Sequence, residues 1–168
     1  MTTLYLMRHG ETVDNVNQIM QGQTQGELTA NGFRQAAQVS EEWKYRHLDA
    51  VVASDLKRAI DTAAVIAGPH HLYVVTTKLL RERDWGDFTG RFIPDLKGEV
   101  WPDNVESQEN LLSRAGNFLD YIRETYPEKE VLAVGHGIIN KAIQAVYYGK
   151  VMSEVPRMMN AEVRELRL

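Results

Sequence analysis

Short apolar runs alternate along this chain with longer segments in which apolar residues recur at every third or fourth position. The apolar runs are too short for helices and are bounded by polar or turn-forming residues, which is typical of buried strands. They predict strands at residues 3–7, 48–53, 72–75 and 131–134, with a weakly patterned last strand within residues 161–168.

The longer segments predict four amphipathic helices, which are begun by a capping residue or ended by a helix breaker. The start and stop signals are Thr29 for the first helix, Ser54 and Gly68 for the second, Ser107 and Pro127 for the third, and His136 just before the fourth. The inward positions predicted for the first helix are Phe33, Ala36, Ala37, Ser40 and Trp43.

Strands that alternate with helices predict a mostly parallel sheet with helices on both of its faces, in the three-layer α/β/α class. The length of 168 residues suits a single domain over residues 1–168. Residues 8–28 and 79–90 have no clean period and are predicted to be loops, whereas residues 91–106 are irregular or form a short helix. Ligands of such folds bind beyond the carboxyl ends of the strands, so residues that follow strands are the first candidates for a site.

Composition narrows the classes of partner. Hydrophobic residues make up 43% of the chain, and a net charge of −4 argues against a surface that binds nucleic acid. The chain has no cysteine, which excludes a disulfide framework, a thiolate nucleophile and a cysteine-ligated metal. No apolar run approaches the length of about 20 residues that a membrane span needs, and the pattern of a signal peptide is missing. We therefore expect a cytoplasmic protein without a membrane partner.

Two of the predicted strands end in the same unusual way. The first is followed by Arg8, His9 and a glycine, and the fourth by His136 between two glycines. Arg58 follows the second strand, near the positive end of a helix, which favours anions. Because parallel strands end on one side of the sheet, these side chains should converge on an anion site that contains a nucleophile. A metal site is the competing interpretation, but arginines beside the histidines would repel a cation, and the H-E-x-x-H spacing is missing.

The acidic partner of this site is harder to identify from chemistry alone. Glu82 lies in a segment crowded with charge, together with Arg81, Arg83, Asp84 and Asp87. A carboxyl group beside a phosphate can act as a general acid, but a surface ion-pair cluster is the alternative. The residues by themselves leave this choice open.

The ordered motifs of the chain resemble those of the histidine phosphatase superfamily, which includes the cofactor-dependent phosphoglycerate mutases. The first block runs from Leu6 through Arg8-His9-Gly10 to Thr12, and matching blocks continue to about residue 140. The further blocks are Asn15, Gln21-Gly22, Leu28 to Gly32, Ser54 to Ala63, Leu80 to Gly90, Glu106-Ser107 and Val134 to Gly137. Val105 departs from the family pattern, which has glycine before the Glu-Ser pair. Each block alone is modest, and the ordered set is specific.

This resemblance implies a phosphoglycerate mutase-like fold and a role for each matched residue. His9 would be the nucleophile that becomes a phosphohistidine, with a backbone carbonyl holding the proton on its other nitrogen. Glu82 would protonate the leaving alcohol and later accept a proton from water. No metal or other cofactor is required. The residues implied to bind the phosphoryl group are Arg8, Asn15, Gln21, Gly22, Arg58 and His136, of which Arg8, Arg58 and His136 would also stabilise its charge during transfer.

The resemblance leaves the kind of phosphoryl transfer open. Mutases of the family carry insertions that cover the site, whereas only 46 residues lie between Gly90 and Gly137 here, and they must supply a helix and a strand. We therefore expect an open site and a phosphomonoesterase for a small phosphorylated metabolite. The residues expected near its entrance are Arg83, Trp85, Arg91, Phe92 and Trp101. The alternatives are a phosphoglycerate mutase-type phosphotransferase and a phosphatase or binding module for phosphoprotein, in particular phosphohistidine. A homodimer through an edge strand also stays open.

Overall fold

Five strands form a single sheet in the computed structural model, which describes residues 1–168. The strands are β1 (Thr3–Arg8), β2 (Ala50–Ser54), β3 (Val74–Thr77), β4 (Glu130–Gly135) and β5 (Val163–Arg167). They lie in the order β3-β2-β4-β1-β5. The first four run parallel, and β5 is antiparallel to its neighbour β1. The predicted mostly parallel sheet is confirmed.

Five helices complete the fold, one more than the apolar pattern predicts. They are α1 (Val13–Asn17), α2 (Ala30–Trp43), α3 (Lys57–Ala67), α4 (Gln108–Thr125) and α5 (Gly137–Tyr148). Because successive strand residues face opposite sides, Leu4 and Leu6 of β1 pack with α4 and α5, whereas Tyr5 and Met7 pack with α2 and α3. The three-layer α/β/α class is thereby confirmed. None of the helices combines the length and apolar character that crossing a membrane requires.

The segment 8–28 is not the uninterrupted loop that its polar composition predicts, because it contains α1. The Thr12 hydroxyl accepts the backbone N–H of Asn15 at 3.0 Å, and the Asn15 side-chain oxygen accepts the N–H of Thr12 at 3.0 Å. This reciprocal capping box stabilises the start of a helix of only five residues. None of those residues is buried, so the helix leaves no apolar period in the sequence.

The apolar face of α2 is displaced from the predicted one. Gly32 and Trp43 are buried, whereas Phe33 and Ala37 are exposed. The cause is the close approach of α2 to the backbone at Glu11, whose carbonyl oxygen a Cβ atom on residue 32 would overlap. The helix therefore turns its glycine, and not Phe33, toward the segment that follows β1.

Ser54 does not cap α3, and that prediction is wrong. It is the last residue of β2, while α3 begins at Lys57 after Leu56, whose side chain makes no capping hydrogen bond. The Ser54 hydroxyl contacts the His136 ring instead, at 2.7 Å. A serine at the start of a helical pattern predicts a cap, and only the packing of β2 beside β4 reveals its actual partner.

β3 begins two residues later than predicted, at Val74 rather than Leu72. The backbone N–H of Leu72 donates to the carbonyl of Ala67 and so closes the end of α3. β3 is an edge strand without a buried residue, which is why its apolar pattern locates it poorly. Residues 79–106 are irregular apart from short 3₁₀ turns, in agreement with the prediction.

Candidate active site

The carboxyl ends of β1 and β4 lie side by side. Arg8 is paired with Gly135 in the parallel register, so the residues that follow, His9 and His136, emerge next to each other. Their rings are in edge contact, with centroids 5.1 Å apart. The structure thus brings together the two histidines that the repeated strand-His-Gly pattern predicts to converge.

His9 is a neutral imidazole whose proton has a defined place. Nδ1 lies 2.6 Å from the carbonyl oxygen of Gly10, and since a carbonyl only accepts, Nδ1 carries the proton. Burial, followed by the positive charge of Arg58, lowers the pKa of His9 to about 3. At neutral pH the other ring nitrogen, Nε2, therefore keeps a free lone pair.

His136 is completely buried beside His9, with the two rings in edge contact. Its Nε2 contacts the Ser54 hydroxyl at 2.7 Å, and its Nδ1 has no partner in the protein. Burial, followed by the charge of Arg58, lowers the pKa of His136 well below its ordinary value, so this ring is also neutral.

Arg8 and Arg58 are buried cations, and the Nε group of each is left unused. Arg8 donates Nη1 to the carbonyl of Met158 at 2.8 Å, and Arg58 donates Nη1 and Nη2 to the carbonyls of Thr24 and Gly22. The Nε group of each has no partner in the protein. Burial lowers the pKa of Arg58 to about 10, which leaves it charged at neutral pH. Both guanidinium groups are thus held by backbone carbonyls and each has an N–H left for an anion.

The segment around α1 adds neutral groups to the cavity wall. Asn15, Gln21 and Gly22 all line the cavity. The side-chain oxygens of Asn15 and Gln21 accept hydrogen bonds from Thr12, each at 3.0 Å, so their amide N–H groups remain available. Gly22 adopts a φ of 52°, a conformation that favours glycine, and its carbonyl accepts from Arg58 at 2.8 Å.

Glu82 lies between the irregular segment after β3 and the start of α5. One carboxyl oxygen accepts the backbone N–H groups of Arg83 and Ile139, and the other accepts that of Ile138 at 3.0 Å. Ile138 and Ile139 belong to the first turn of α5, whose N-cap residue makes no side-chain capping bond. Glu82 therefore takes the place of a cap, because the first N–H groups of a helix have no partner within it.

The segment that carries Glu82 is fastened by Arg114 of α4, which forms a half-buried ion pair with Glu106. Arg114 donates Nη1 to the carbonyls of Leu79 and Arg81, at 3.0 and 2.6 Å. Its Nη2 lies 2.8 Å from a carboxyl oxygen of Glu106. Glu106 also accepts the N–H of Asp84 at 3.1 Å. One ion pair thus links α4 to residues on both sides of Glu82.

The cavity in front of these residues has a volume of about 360 Å³. Of the five residues predicted near its entrance, only Trp85 lines it. Arg83 and Trp101 pack around Trp85 instead, with the Arg83 guanidinium carbon 5.0 Å from the Trp85 ring centre. Arg91 pairs with Glu99 at 2.7 Å, and the exposed Phe92 bridges to Ile19, a residue of the lining. The prediction is therefore wrong for four residues, which do not line the cavity: Arg83, Arg91, Phe92 and Trp101.

Several residues of the site escaped the sequence-based prediction. Ser54 stands in a matched motif block and was interpretable only as a cap. Lys141 could have been identified from the sequence, because it follows Gly137 of the matched motif by one helical turn. Arg157 and Met20 lie in segments without a recognisable sequence motif. The structure contains no group of three or more His, Cys, Asp or Glu side chains placed to hold a metal ion.

The sequence matches a family model described as "Histidine phosphatase superfamily (branch 1)" over residues 4–168. "Uncharacterized phosphatase PhoE" of Bacillus subtilis is 37% identical over 166 residues, covering 96% of this chain and 86% of that protein. "Probable phosphoglycerate mutase GpmB" of Proteus mirabilis is 37% identical over 152 residues, covering 82% of this chain and 71% of that protein.

The fold is also similar to that of solved phosphatases. A mutant phosphoserine phosphatase from Entamoeba histolytica, in complex with phosphoserine, superposes with a TM-score of 0.89 at 26% sequence identity. The match covers 98% of this chain and 90% of the other.

Proposed function

This chain belongs to branch 1 of the histidine phosphatase superfamily, and we propose that it hydrolyses a small phosphorylated metabolite through a phosphohistidine formed on His9. The observation that carries the proposal is the state of His9. The Gly10 carbonyl holds its proton on Nδ1, burial keeps the ring neutral, and Nε2 is left free beside two arginines with unused donors. An imidazole in this state is a nucleophile at neutral pH.

In the first half of the reaction, His9 Nε2 attacks phosphorus opposite the ester oxygen. The Nε2–P bond forms while the bond from phosphorus to the ester oxygen breaks. Glu82 gives its proton to that oxygen, so the alcohol leaves neutral. Its carboxyl oxygen bonded to Ile138 accepts a single backbone N–H and is the one with room for this proton.

The charge on the transferring group is met by the donors that the protein leaves unused. Arg8 and Arg58 supply Nε–H groups, and His136 supplies its unpartnered Nδ1. Asn15 and Gln21 add amide N–H groups. Such preorganised donors provide most of the catalysis in phosphoryl transfer, because the chemistry itself needs little more than positioning.

In the second half, water attacks the phosphohistidine. Glu82 accepts a proton from the water as the new O–P bond forms and the Nε2–P bond breaks. Inorganic phosphate leaves, and both His9 and Glu82 return to their starting states. The reaction draws on no metal ion.

Hydrolysis is favoured over return of the phosphoryl group to substrate because water can reach the site. The segment 91–106 supports this, because it is mostly exposed and contains only one 3₁₀ turn, Ile93–Leu96. It therefore lacks the kind of folded insertion that covers the site in mutases of the family. PhoE of Bacillus subtilis bears a phosphatase name, whereas GpmB bears the name of a probable mutase. The mutase is therefore the second candidate.

The first experiment is the steady-state hydrolysis of p-nitrophenyl phosphate by the wild type and by His9→Ala, each with and without EDTA. We expect EDTA-resistant turnover that falls by about 10³-fold or more in His9→Ala, because removal of a nucleophile abolishes the covalent route. The exposed His47→Ala is the matched control and should retain full activity. Retained turnover in His9→Ala would contradict the assignment of the nucleophile, and loss of activity with EDTA would contradict the metal-free route.

The mutase is tested by incubating the enzyme with 3-phosphoglycerate, with and without 2,3-bisphosphoglycerate. Release of inorganic phosphate that is independent of the bisphosphate supports a phosphatase. Formation of 2-phosphoglycerate that depends on the bisphosphate, without net phosphate release, would make the mutase the better description.

A further inference from the structure

Two cations of the cavity wall have no partner within the protein. Lys141 and Arg157 both line the cavity, and neither takes part in any ion pair of the molecule. By contrast, Arg114 near the same site is paired with Glu106 at 2.8 Å. Unpaired cations that face a cavity attract anions into it.

Lys141 lies on the face of α5 that meets Arg8. It follows Gly137 by one helical turn, and residues four apart share a helix face. A Cβ atom on Gly137 would lie 3.5 Å from Nε of Arg8, so this face is in contact with the guanidinium group. The half-buried Lys141 is therefore the next residue along the wall beyond Arg8.

Arg157 reaches the same part of the cavity from the segment before β5. It precedes Met158, whose carbonyl oxygen accepts Nη1 of Arg8 at 2.8 Å. After burial, the charge of Arg157 is the next cause that lowers the pKa of Arg8. The two guanidinium groups are thus close enough to repel each other, and an anion placed between these cations would relieve that repulsion.

The cavity contains no acidic group that neutralises this pair. Glu82 is the one carboxyl in the lining, and three backbone N–H groups hold it. The phosphoryl group already has the donors that the proposed reaction assigns to it, led by the Nε groups of Arg8 and Arg58. Lys141 and Arg157 therefore exceed what a phosphoryl group alone requires.

We propose that Lys141 and Arg157 bind a second anionic group, carried by the leaving group of the phosphomonoester. This inference rests on the proposed function, because it takes the phosphoryl group to lie at Arg8 and Arg58. Met20 and Trp85 give the cavity an apolar lining for the carbon skeleton between the two anionic ends. The substrate class is therefore a phosphomonoester with a carboxylate or a second phosphate on its alcohol part.

The test compares substrates that differ only in the second anion. 3-Phosphoglycerate and glycerol 3-phosphate form the carboxylate pair, and fructose 1,6-bisphosphate and fructose 6-phosphate form the phosphate pair. The selectivity is the ratio of kcat/KM within each pair. We expect a wild-type selectivity of about tenfold or more in one of the pairs, as for loss of a charge-assisted hydrogen bond. The pair that shows it identifies the anion.

Lys141→Met and Arg157→Met should each lower this selectivity toward one, whereas Lys141→Arg should keep most of it. Lys129→Met is the matched control, because Lys129 precedes β4 at the opposite end of that strand and its loss removes the same charge. Added salt should lower the selectivity of the wild type, since ions screen charges that face solvent. Melting temperatures of the variants verify that they are folded.

A selectivity near one for both wild-type pairs, or a selectivity that Lys141→Met and Arg157→Met leave unchanged, would overturn this proposal while leaving the phosphatase intact. Failure of the wild type to hydrolyse p-nitrophenyl phosphate and all four esters would instead contradict the proposed function. In that case the anion site is tested by calorimetry, which compares the affinity of the wild type for 3-phosphoglycerate with that of Lys141→Met. Equal affinity, or no binding, would count against it.

Discussion

At the scale of single residues, the site depends on where protons are held. The Gly10 carbonyl fixes the proton of His9 on Nδ1. For His136, the relevant partner is Ser54. The Ser54 hydroxyl oxygen accepts the backbone N–H of Leu56 at 3.4 Å, so its own proton is free to be donated to Nε2 of His136. The ring proton of neutral His136 then lies on Nδ1, and in the proposed reaction a phosphoryl oxygen accepts it.

Ser54→Ala should therefore lower kcat for p-nitrophenyl phosphate by roughly tenfold, less than the loss of about 100-fold that removal of a direct donor costs. KM should change little, because the arginines still bind the phosphoryl group. Ser40→Ala is the matched control, since the Ser40 hydroxyl donates to the carbonyl of Val65 away from the site. An equal loss of kcat in both variants would show that Ser54 is merely structural.

Glu82→Gln should separate substrates by their leaving groups. We expect hydrolysis of an alkyl phosphate to fall by about 100-fold or more, because general acid catalysis contributes that much for a poor leaving group. p-Nitrophenolate needs little protonation and should be affected far less. The exposed Glu109→Gln serves as the control. Equal losses for both esters would mean that Glu82 does not protonate the leaving group.

At the scale of elements, the position of Glu82 depends on α4 and α5 together. Its carboxyl caps α5, and the carbonyls around it are held by Arg114, whose partner is Glu106. Loss of Arg114 leaves the Glu106 carboxylate and these carbonyls without that partner. The irregular segment after β3 is therefore ordered by contacts with helices and not by its own local structure.

Arg114→Met should consequently displace Glu82 and weaken the protonation of the leaving group that we propose for it. We expect kcat for an alkyl phosphate to fall by about tenfold or more, with a smaller effect on p-nitrophenyl phosphate, since a shift of about 1 Å can misplace a reacting group. Arg123→Met on the same helix is the control, because Arg123 forms only an exposed ion pair with Asp120. A lower melting temperature with unchanged leaving-group dependence would contradict the positioning role.

At the scale of the whole molecule, the site is a cationic centre at the carboxyl ends of β1 and β4, and its histidines and arginines are buried. His9 and His136 stay neutral because burial and the charges of Arg8 and Arg58 oppose their protonation. The unfolded chain binds a proton on each histidine below about pH 6.5. Between that pH and the lower pKa of the folded state, the unfolded state holds more protons, so stability must fall as pH falls.

The lowered pKa of His9 alone should reduce the free energy of unfolding by about 2 kcal/mol when the pH falls from 7 to 5. Urea denaturation of the wild type and of His9→Gln at both pH values measures it. The variant should lose less stability on acidification than the wild type by about this amount. The exposed His47→Gln should behave like the wild type. Parallel pH profiles of wild type and His9→Gln would contradict a neutral, buried His9.

Much of the fold was predictable because its signals are local. β1 and β4 are continuous apolar runs, and the Ser107 cap begins α4 where the sequence places it. The predictions that failed concern elements with little burial, since α1 was not predicted and the start of β3 was placed two residues early. The buried face of α2 was also wrong, because it depends on a close backbone approach at Gly32. Local patterns report burial, so elements without it are missed or poorly located.

The sequence by itself determined the succession of strands and helices, the three-layer class and the residues that follow the strands. From their positions after the strands, His9, Arg58 and His136 could be expected to meet. Only the tertiary structure decided that Ser54 contacts His136, that Arg114 fastens the segment of Glu82, and that Lys141 and Arg157 line the cavity. These contacts join residues distant in the chain, and their geometry depends on the packing of strands and helices. The periodicity of one segment records which side is buried, but it carries no information about which distant side chain lies there.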